Sequence, residues 1–88
     1  MDKAAAKGHI SDMKFTVTVE HDQKEGVWFV QDSDVPGLNA EASSLDALIE
    51  VITDLAPELV ASNVPRAEGS SISVCVQHLV NPRKAYAA

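Results

Sequence analysis

Residues 43–60, SSLDALIEVITDLAPELV, show the clearest periodic pattern in the chain. Their apolar residues recur at three- and four-residue steps, which is typical of a helix with one buried side. These residues are Leu45, Leu48, Ile49, Ile52, Leu55, Ala56, Leu59 and Val60. Ser43 and Ser44 offer N-cap hydroxyls, and Asp46 approximates the acid of a capping box, so we predict that the helix begins here. Pro57 lacks a backbone donor and is expected to kink the helix or to open a short last turn.

The other side of this predicted helix is acidic. It carries Asp46, Glu50, Asp54 and Glu58. A solvated surface is the default interpretation of such a row. Its single sign, without the interleaved lysines of an ordinary surface helix, also favours contact with a basic protein.

Four shorter segments predict β-strands around the helix. The first, at 14–21, alternates apolar and polar residues with the period of a strand that has one buried face. A polar loop ending in Gly26, and the adjacent Pro36 and Gly37, supply turns between the first three strands. The other three strands are expected at 27–30, 38–42 and 71–80.

This order of elements predicts an α+β fold, a two-layer β-β-β-α-β sandwich with an antiparallel-rich sheet. The apolar stripe of the helix and the apolar face of the sheet must cover each other. A chain of 88 residues is long enough for one domain, which we place at 13–80. Residues 1–12 are interpreted as a flexible leader or tag, and residues 81–88 as a flexible tail.

The formal net charge is −6, and the negative charge is concentrated in the body of the chain. Residues 14–63 hold two lysines against ten acidic residues. A surface of this sign repels a phosphate backbone, so direct binding of nucleic acid is disfavoured. A basic protein is the kind of partner that such a surface accommodates.

The lone Cys75 allows no intramolecular disulfide, which favours a reducing, cytoplasmic setting. Because Cys75 lies between the core candidates Val74 and Val76, it is interpreted as a buried structural thiol. No apolar run approaches the roughly 20 residues that span a bilayer, and no signal peptide is recognised, so no contact with a membrane is expected.

Three aspartates raise the possibility of metal-dependent nuclease chemistry, which uses carboxylates around divalent ions. Asp32 and Asp34 flank a turn and Asp22 lies in a hairpin loop. Aspartate is common at such positions because its side chain hydrogen-bonds nearby backbone, and this interpretation is preferred.

The three histidines, His9, His21 and His78, show no metal-ligand spacing, so no metal site is predicted. His21 and His78 become neighbours if the first and fourth strands pair. No Ser-His-Asp arrangement and no glycine-rich phosphate loop is recognised. The sequence therefore predicts no catalytic residue and no cofactor.

Trp28 has two interpretations that the sequence leaves open. On the sheet face opposite the helix it would need cover, which a second subunit could supply, and it is then a candidate for an oligomer interface. Under the helix it would belong to the core.

The segment FTVTVEHDQKEGVWFVQDSDVPGLNAEASSLDALIEVITDL, at 15–55, resembles the N-terminal domain of HicB-like antitoxins. The resemblance covers most of residues 14–60. It rests on an opening strand, a D-x-x-x-G hairpin, an aromatic second strand, the acidic D-x-D-V-P-G-L turn and an alanine-rich approach to S-L-D-A-L-I-E.

This resemblance implies a partial ribonuclease-H-like fold, assembly into dimers or larger oligomers, and inhibition of a small RNA-cleaving toxin whose active site is covered. Family members typically add a C-terminal DNA-binding element. In this chain residues 81–88 alone follow the fourth strand, so it is similar to the short, stand-alone members of the superfamily.

The leading hypothesis is a binding module rather than an enzyme. Its acidic surface, formed by Asp32, Asp34, Asp46 and Glu50, would engage a small basic toxin-like protein, and the sheet would form a homo-oligomer. The second hypothesis is a structural or oligomerising domain without a toxin. The third is a residual metal-dependent nuclease.

Overall fold

The computed structural model describes residues 12–81, which form one four-stranded sheet covered on one face by one long helix. The elements, in chain order, are β1 Asp12–Asp22, β2 Val27–Ser33, β3 Glu41–Ala42, α1 Leu45–Asn63, a 3-10 turn Pro65–Ala67 and β4 Ser71–His78. The predicted α+β fold and its β-β-β-α-β order are confirmed.

The strands lie in the order β3-β2-β1-β4. β1 and β2 are antiparallel, as are β2 and β3, whereas β4 runs parallel to β1. The parallel arrangement follows from the connection, because α1 returns the chain to the end of the sheet at which β1 begins. β4 and β3 are therefore the two edges.

The core lies between α1 and the face of the sheet that β1 presents with Phe15, Val17 and Val19. From the helix it receives Leu48, Ile52, Ala56 and Val60, all buried. The loop after β2 adds Val35 and Leu38, and the end of the helical segment adds Val64 and Ala67. The apolar stripe predicted for the helix thus faces the sheet, apart from Ile49, which is 37% exposed. We call the other face of the sheet the open face.

The helix begins where the sequence predicts. The hydroxyl of Ser44 accepts a hydrogen bond from the backbone nitrogen of Ala47 at 3.1 Å. The expectation that Pro57 opens a separate last turn is wrong, because α1 is continuous from Leu45 to Asn63. Pro57 lies on the exposed side, while buried Ala56 and Val60 hold the helix against the sheet on both sides of it, so packing outweighs the lost backbone bond.

Several predicted boundaries shift. β1 includes Asp12, which was assigned to the leader; residues 1–11 and 82–88 lie outside the described residues. The third strand is two residues long rather than five, although the nitrogen of Val30 still donates to the carbonyl of Ala40 at 3.0 Å. Gly26 and Gly37 have φ of 70° and 79°, so both turns use the conformation that glycine adopts without strain.

Candidate interaction surfaces

The outer side of α1 forms a row of four acidic residues, all exposed and spaced four residues apart. They are Asp46, Glu50, Asp54 and Glu58. We call them the acidic row. The helix contains no lysine or arginine. At a rise of about 1.5 Å per residue the row extends over roughly 18 Å. Like charges four residues apart on a helix repel each other, so the row lowers the stability of the helix that carries it.

Asp32 and Asp34 lie on the sheet layer, at the end of β2. The pairing of β1 with β2 is irregular between Thr18 and Val19, which leaves Gln31 as the extra residue of a β-bulge. Asp32 is opposite Thr18 and therefore on the open face. Its carboxylate accepts a hydrogen bond from the nitrogen of Ser33 at 3.0 Å.

The Asp34 carboxylate accepts a hydrogen bond from the nitrogen of Thr16 at 3.2 Å, and the Asp34 nitrogen donates to the Thr16 carbonyl at 3.0 Å. Asp34 thus continues the contact of the chain with β1 beyond the end of β2. Asp32 binds adjacent backbone as predicted, although it lies within β2 and does not flank a turn, whereas Asp34 binds the backbone of β1, 18 residues away in the chain.

The single acidic surface predicted from Asp32, Asp34, Asp46 and Glu50 is not formed. Asp46 and Glu50 point outward from the helix layer, whereas Asp32 lies on the open face of the sheet behind it. The sequence prediction failed because the strand period alone does not tell which side of a sheet a residue occupies after a bulge.

Asp22 holds the hairpin between β1 and β2. Its carboxylate accepts from the nitrogens of Lys24 and Glu25 at 3.0 and 3.1 Å, and its carbonyl accepts from Gly26 at 2.7 Å. Asp22 lies four residues along β1 from Thr18, the partner of Asp32, so the backbone positions of the two aspartates are roughly 13 Å apart along the strands. The structure therefore does not bring the three aspartates together. Within residues 12–81 no three His, Cys, Asp or Glu side chains are grouped so that they could hold one metal ion.

Trp28 lies on the face that α1 covers. Its register partners are His21 of β1 and Ala42 of β3, and it packs against the core. The His21 ring stacks on the indole at a centroid distance of 4.6 Å, and the His78 ring contacts it edge-on at 4.7 Å. The neighbourhood expected for His21 and His78 is thus present with Trp28 as their common partner, and the core interpretation of Trp28 accounts for its position.

The open face carries an arrangement that the sequence did not predict. Glu20 of β1, Phe29 of β2 and Glu41 of β3 are register partners in one line across three strands. The carboxylate of Glu20 accepts a hydrogen bond from the side-chain nitrogen of Asn81 at 2.7 Å. The alternation of β2 indicates that Trp28 and Phe29 face opposite sides, but only the register shows which acids lie beside the phenyl ring.

Cys75 is exposed, so the prediction of a buried thiol is wrong. Val74 and Val76 face α1, and strand alternation turns the residue between them to the open face. Strand alternation in the sequence was therefore sufficient to predict that Cys75 is exposed.

A groove of about 270 Å³ runs between α1 and β4 on the helix side of the sheet. It is predominantly apolar. Its lining consists of Ile49, Ile52, Thr53, Ala56, Pro57, Ile72, Val74 and Val76. The groove exists because β4 is an edge strand, with no further strand beside it among the described residues.

Among residues 12–81, α1 is the longest helix, and neither it nor any other is apolar enough over a sufficient length to cross a membrane.

Comparison with known proteins gives a family and a fold. The model described as Domain of unknown function (DUF1902) matches residues 14–84. The crystal structure of hypothetical protein TTHA1013 from the extremely thermophilic bacterium Thermus thermophilus is similar, with 28% identity and a TM-score of 0.67, covering 77% of this chain and 94% of that chain. No curated protein matches the chain. Because the family model covers β1, the helix and β4 alike, the chain belongs to the family Domain of unknown function (DUF1902).

Proposed function

We propose that this domain is a protein-binding module of the HicB-like antitoxin type, which binds and blocks a small basic RNA-cleaving toxin. The main support for the proposal is the acidic row of α1, which sets four exposed carboxylates on a helix that has no lysine or arginine. The proposed role is binding, and no catalytic step is assigned to the chain.

The energetics of the row support a partner of opposite charge. Three successive pairs at four-residue spacing repel each other in the free domain, and each pair costs a few tenths of a kcal/mol. A basic surface placed over the row replaces this repulsion with attraction. The gain also accelerates encounter and weakens as salt is added.

The chemistry of an RNA-cleaving enzyme explains how the row could inhibit it. Such an enzyme holds its substrate by cations that contact the phosphate backbone. A rigid line of carboxylates over roughly 18 Å of helix surface offers those cations an alternative polyanion. The proposed contact surface therefore retains two of the residues predicted from sequence, Asp46 and Glu50, and extends along the helix to Asp54 and Glu58. Asp32 and Asp34 are not part of it, because they lie on the sheet layer.

The test requires a small basic protein encoded beside this chain in its source genome, which is purified and assayed for RNA cleavage; the lack of any such gene would count against the proposal. The native domain should abolish cleavage at a molar ratio near one. The double variant Glu50→Lys with Asp54→Lys should require at least about tenfold more protein, because like charges then meet across the interface.

The matched control is Glu25→Lys with Glu68→Lys, which changes the net charge equally at two exposed positions away from the acidic row. It should inhibit like the native domain. Inhibition that both double variants retain would place the contact elsewhere, and uninhibited cleavage in the presence of excess native domain would exclude an antitoxin role for this pair of proteins.

A further inference from the structure

We infer that the groove between α1 and β4 binds an extended segment of the basic partner. This segment adds to β4 as a fifth strand, fills the groove with apolar side chains and directs lysine or arginine side chains to the acidic row. The charge of the occupant rests on the proposed function. The groove as a second contact surface, and the extended conformation of the segment in it, go beyond that function.

The groove and the acidic row are parts of one continuous surface. On the helix, the outer rim of the groove is formed by Ile49, Thr53 and Pro57, all exposed. Residues three positions apart are neighbours on a helix surface, so each of these residues lies beside an acid of the row. These acids are Asp46, Glu50 and Asp54, in the same order. A segment in the groove is therefore bordered by carboxylates along its helix side.

Charge identifies the occupant as a basic segment. Neither β4 nor the lining of the groove contains an aspartate, glutamate, lysine or arginine, so the acidic row supplies the charge at the rim. A second copy of this chain, with its formal charge of −6, is repelled by the row. A neutral segment gains the apolar contact alone. A segment that combines apolar and cationic side chains gains both contacts.

The free edge of β4 favours an extended occupant. β4 pairs with β1 from Ser71 to His78, and no strand of the described chain lies on its other side. The nitrogen of Leu79 donates to the carbonyl of Val19 in β1, and backbone groups alternate in direction along a strand, so every second residue of β4 points its groups outward. These residues are Ile72, Val74, Val76 and His78. An added strand satisfies the outward groups, which a helix in the groove would leave without partners.

The same part of β4 forms the floor of the groove. Ile72, Val74 and Val76 are half-buried and line it from the sheet side. Because every second side chain of an added strand faces the same side of the sheet, the occupant should alternate, with its apolar residues above the groove. Its cationic residues are expected on that same side, before or after the apolar ones, because on the open face they would point away from α1.

A synthetic peptide tests this surface. The probe is acetyl-Lys-Thr-Val-Thr-Val-Thr-Val-Thr-Lys-amide, whose valines and lysines all lie on one side when it is extended. At saturating peptide and low salt, the backbone amides of Val74 and Val76 should exchange hydrogen at least about tenfold more slowly, as measured by NMR. The amide of Cys75, which faces β1, should change little. A peptide that leaves the exchange at Val74 and Val76 unchanged would overturn the inference.

Methylation of the peptide backbone separates strand addition from simple attraction of charge. In an extended peptide, alternate amides face β4 and the others face away from it. Methylation of the three valine amides, or of the three threonine amides between the first and last valine and lysine, gives two peptides with the charge of the parent. One of the two should lose at least about tenfold in affinity and the other should bind like the parent. Equal affinities would contradict an added strand, and this comparison uses the native domain alone.

Two variants of the domain test the position of the contact. Thr53→Lys places a cation at the exposed rim of the groove and should weaken peptide binding at least about tenfold. Gln23→Lys makes the same change of charge in the exposed hairpin and should bind the peptide like the native domain. Equal binding by both variants would place the peptide outside the groove.

Failure of this inference is distinguishable from failure of the proposed function. A domain that blocks RNA cleavage by its partner but does not bind the peptide at β4 would retain the function and overturn the groove as a contact surface. A domain that binds the peptide at β4, with affinity lost in Thr53→Lys, would support the groove even where no RNA cleavage is inhibited.

Discussion

Trp28 shows how single residues in this domain acquire neighbours that are remote in sequence. It contacts His21 from the preceding strand face to face and His78 from the last strand in an edge arrangement. The sequence left two positions open for Trp28, and the structure has the one under the helix rather than the one on the open face. The residue lies between the core and two imidazoles, and a role at an oligomer interface stays a prediction.

Removing the stacked imidazole should destabilise the domain. His21→Ala uncovers one face of the Trp28 indole, and the free energy of unfolding should fall by roughly 0.5–1.5 kcal/mol. Urea denaturation followed by the fluorescence of Trp28, the one tryptophan, measures the loss. A His21→Ala variant as stable as the native chain would show that the stacked pair contributes nothing to stability.

The residues that sequence analysis placed correctly are those whose partners are local. The hydroxyl of Ser44 caps the helix, and Asp22 binds the backbone of its own hairpin, and both follow from residue type and a few neighbours in the chain. Cys75 was placed wrongly although strand alternation indicated its exposure. Glu20, Phe29 and Glu41 could not be grouped, because their alignment depends on register between strands.

Among the elements, α1 has a well-buried apolar side that stabilises it and an outer side whose like charges destabilise it. Leu48 and Ile52 are 0% and 1% exposed, so burial fixes the helix in place. The acidic row repels itself along the same helix. The burial explains why Pro57 is tolerated within the helix, and the repulsion indicates that stability is not what the outer residues provide.

Reversing one charge in the row should therefore stabilise the domain. In Glu50→Lys the new ammonium lies four residues from both Asp46 and Asp54, which replaces two repulsive pairs by two attractive ones. The expected gain in the free energy of unfolding is roughly 0.5–1 kcal/mol at low salt, shrinking as salt is added.

Urea denaturation followed by circular dichroism measures this gain. Glu25→Lys, which makes the same charge change in the exposed hairpin, serves as the control for net charge. If Glu50→Lys is no more stable than Glu25→Lys, the acidic row carries no internal repulsion, and the main physical support for an oppositely charged partner is lost.

At the scale of the whole molecule, periodicity and turn residues were enough to predict the order of elements and the two-layer sandwich. They did not give the position of β4, which lies beside β1 rather than at the β3 edge. That position creates both the groove against α1 and the free neutral edge. The bulge of β2, and not the position of β4, leaves Asp32 on the open face, which is why a surface assembled from sequence alone combined residues that do not meet.

Calorimetric titration of the domain with a small basic protein encoded beside it, repeated across salt concentration, measures the proposed binding to the acidic row. Between about 50 mM and about 500 mM salt the affinity of the native domain should fall at least about tenfold, because the Debye length shortens from over 10 Å to a few ångströms. In Glu50→Lys with Asp54→Lys the affinity should be weak throughout. Tight binding that does not depend on salt and is unchanged in this variant would rule out the acidic row as the binding surface.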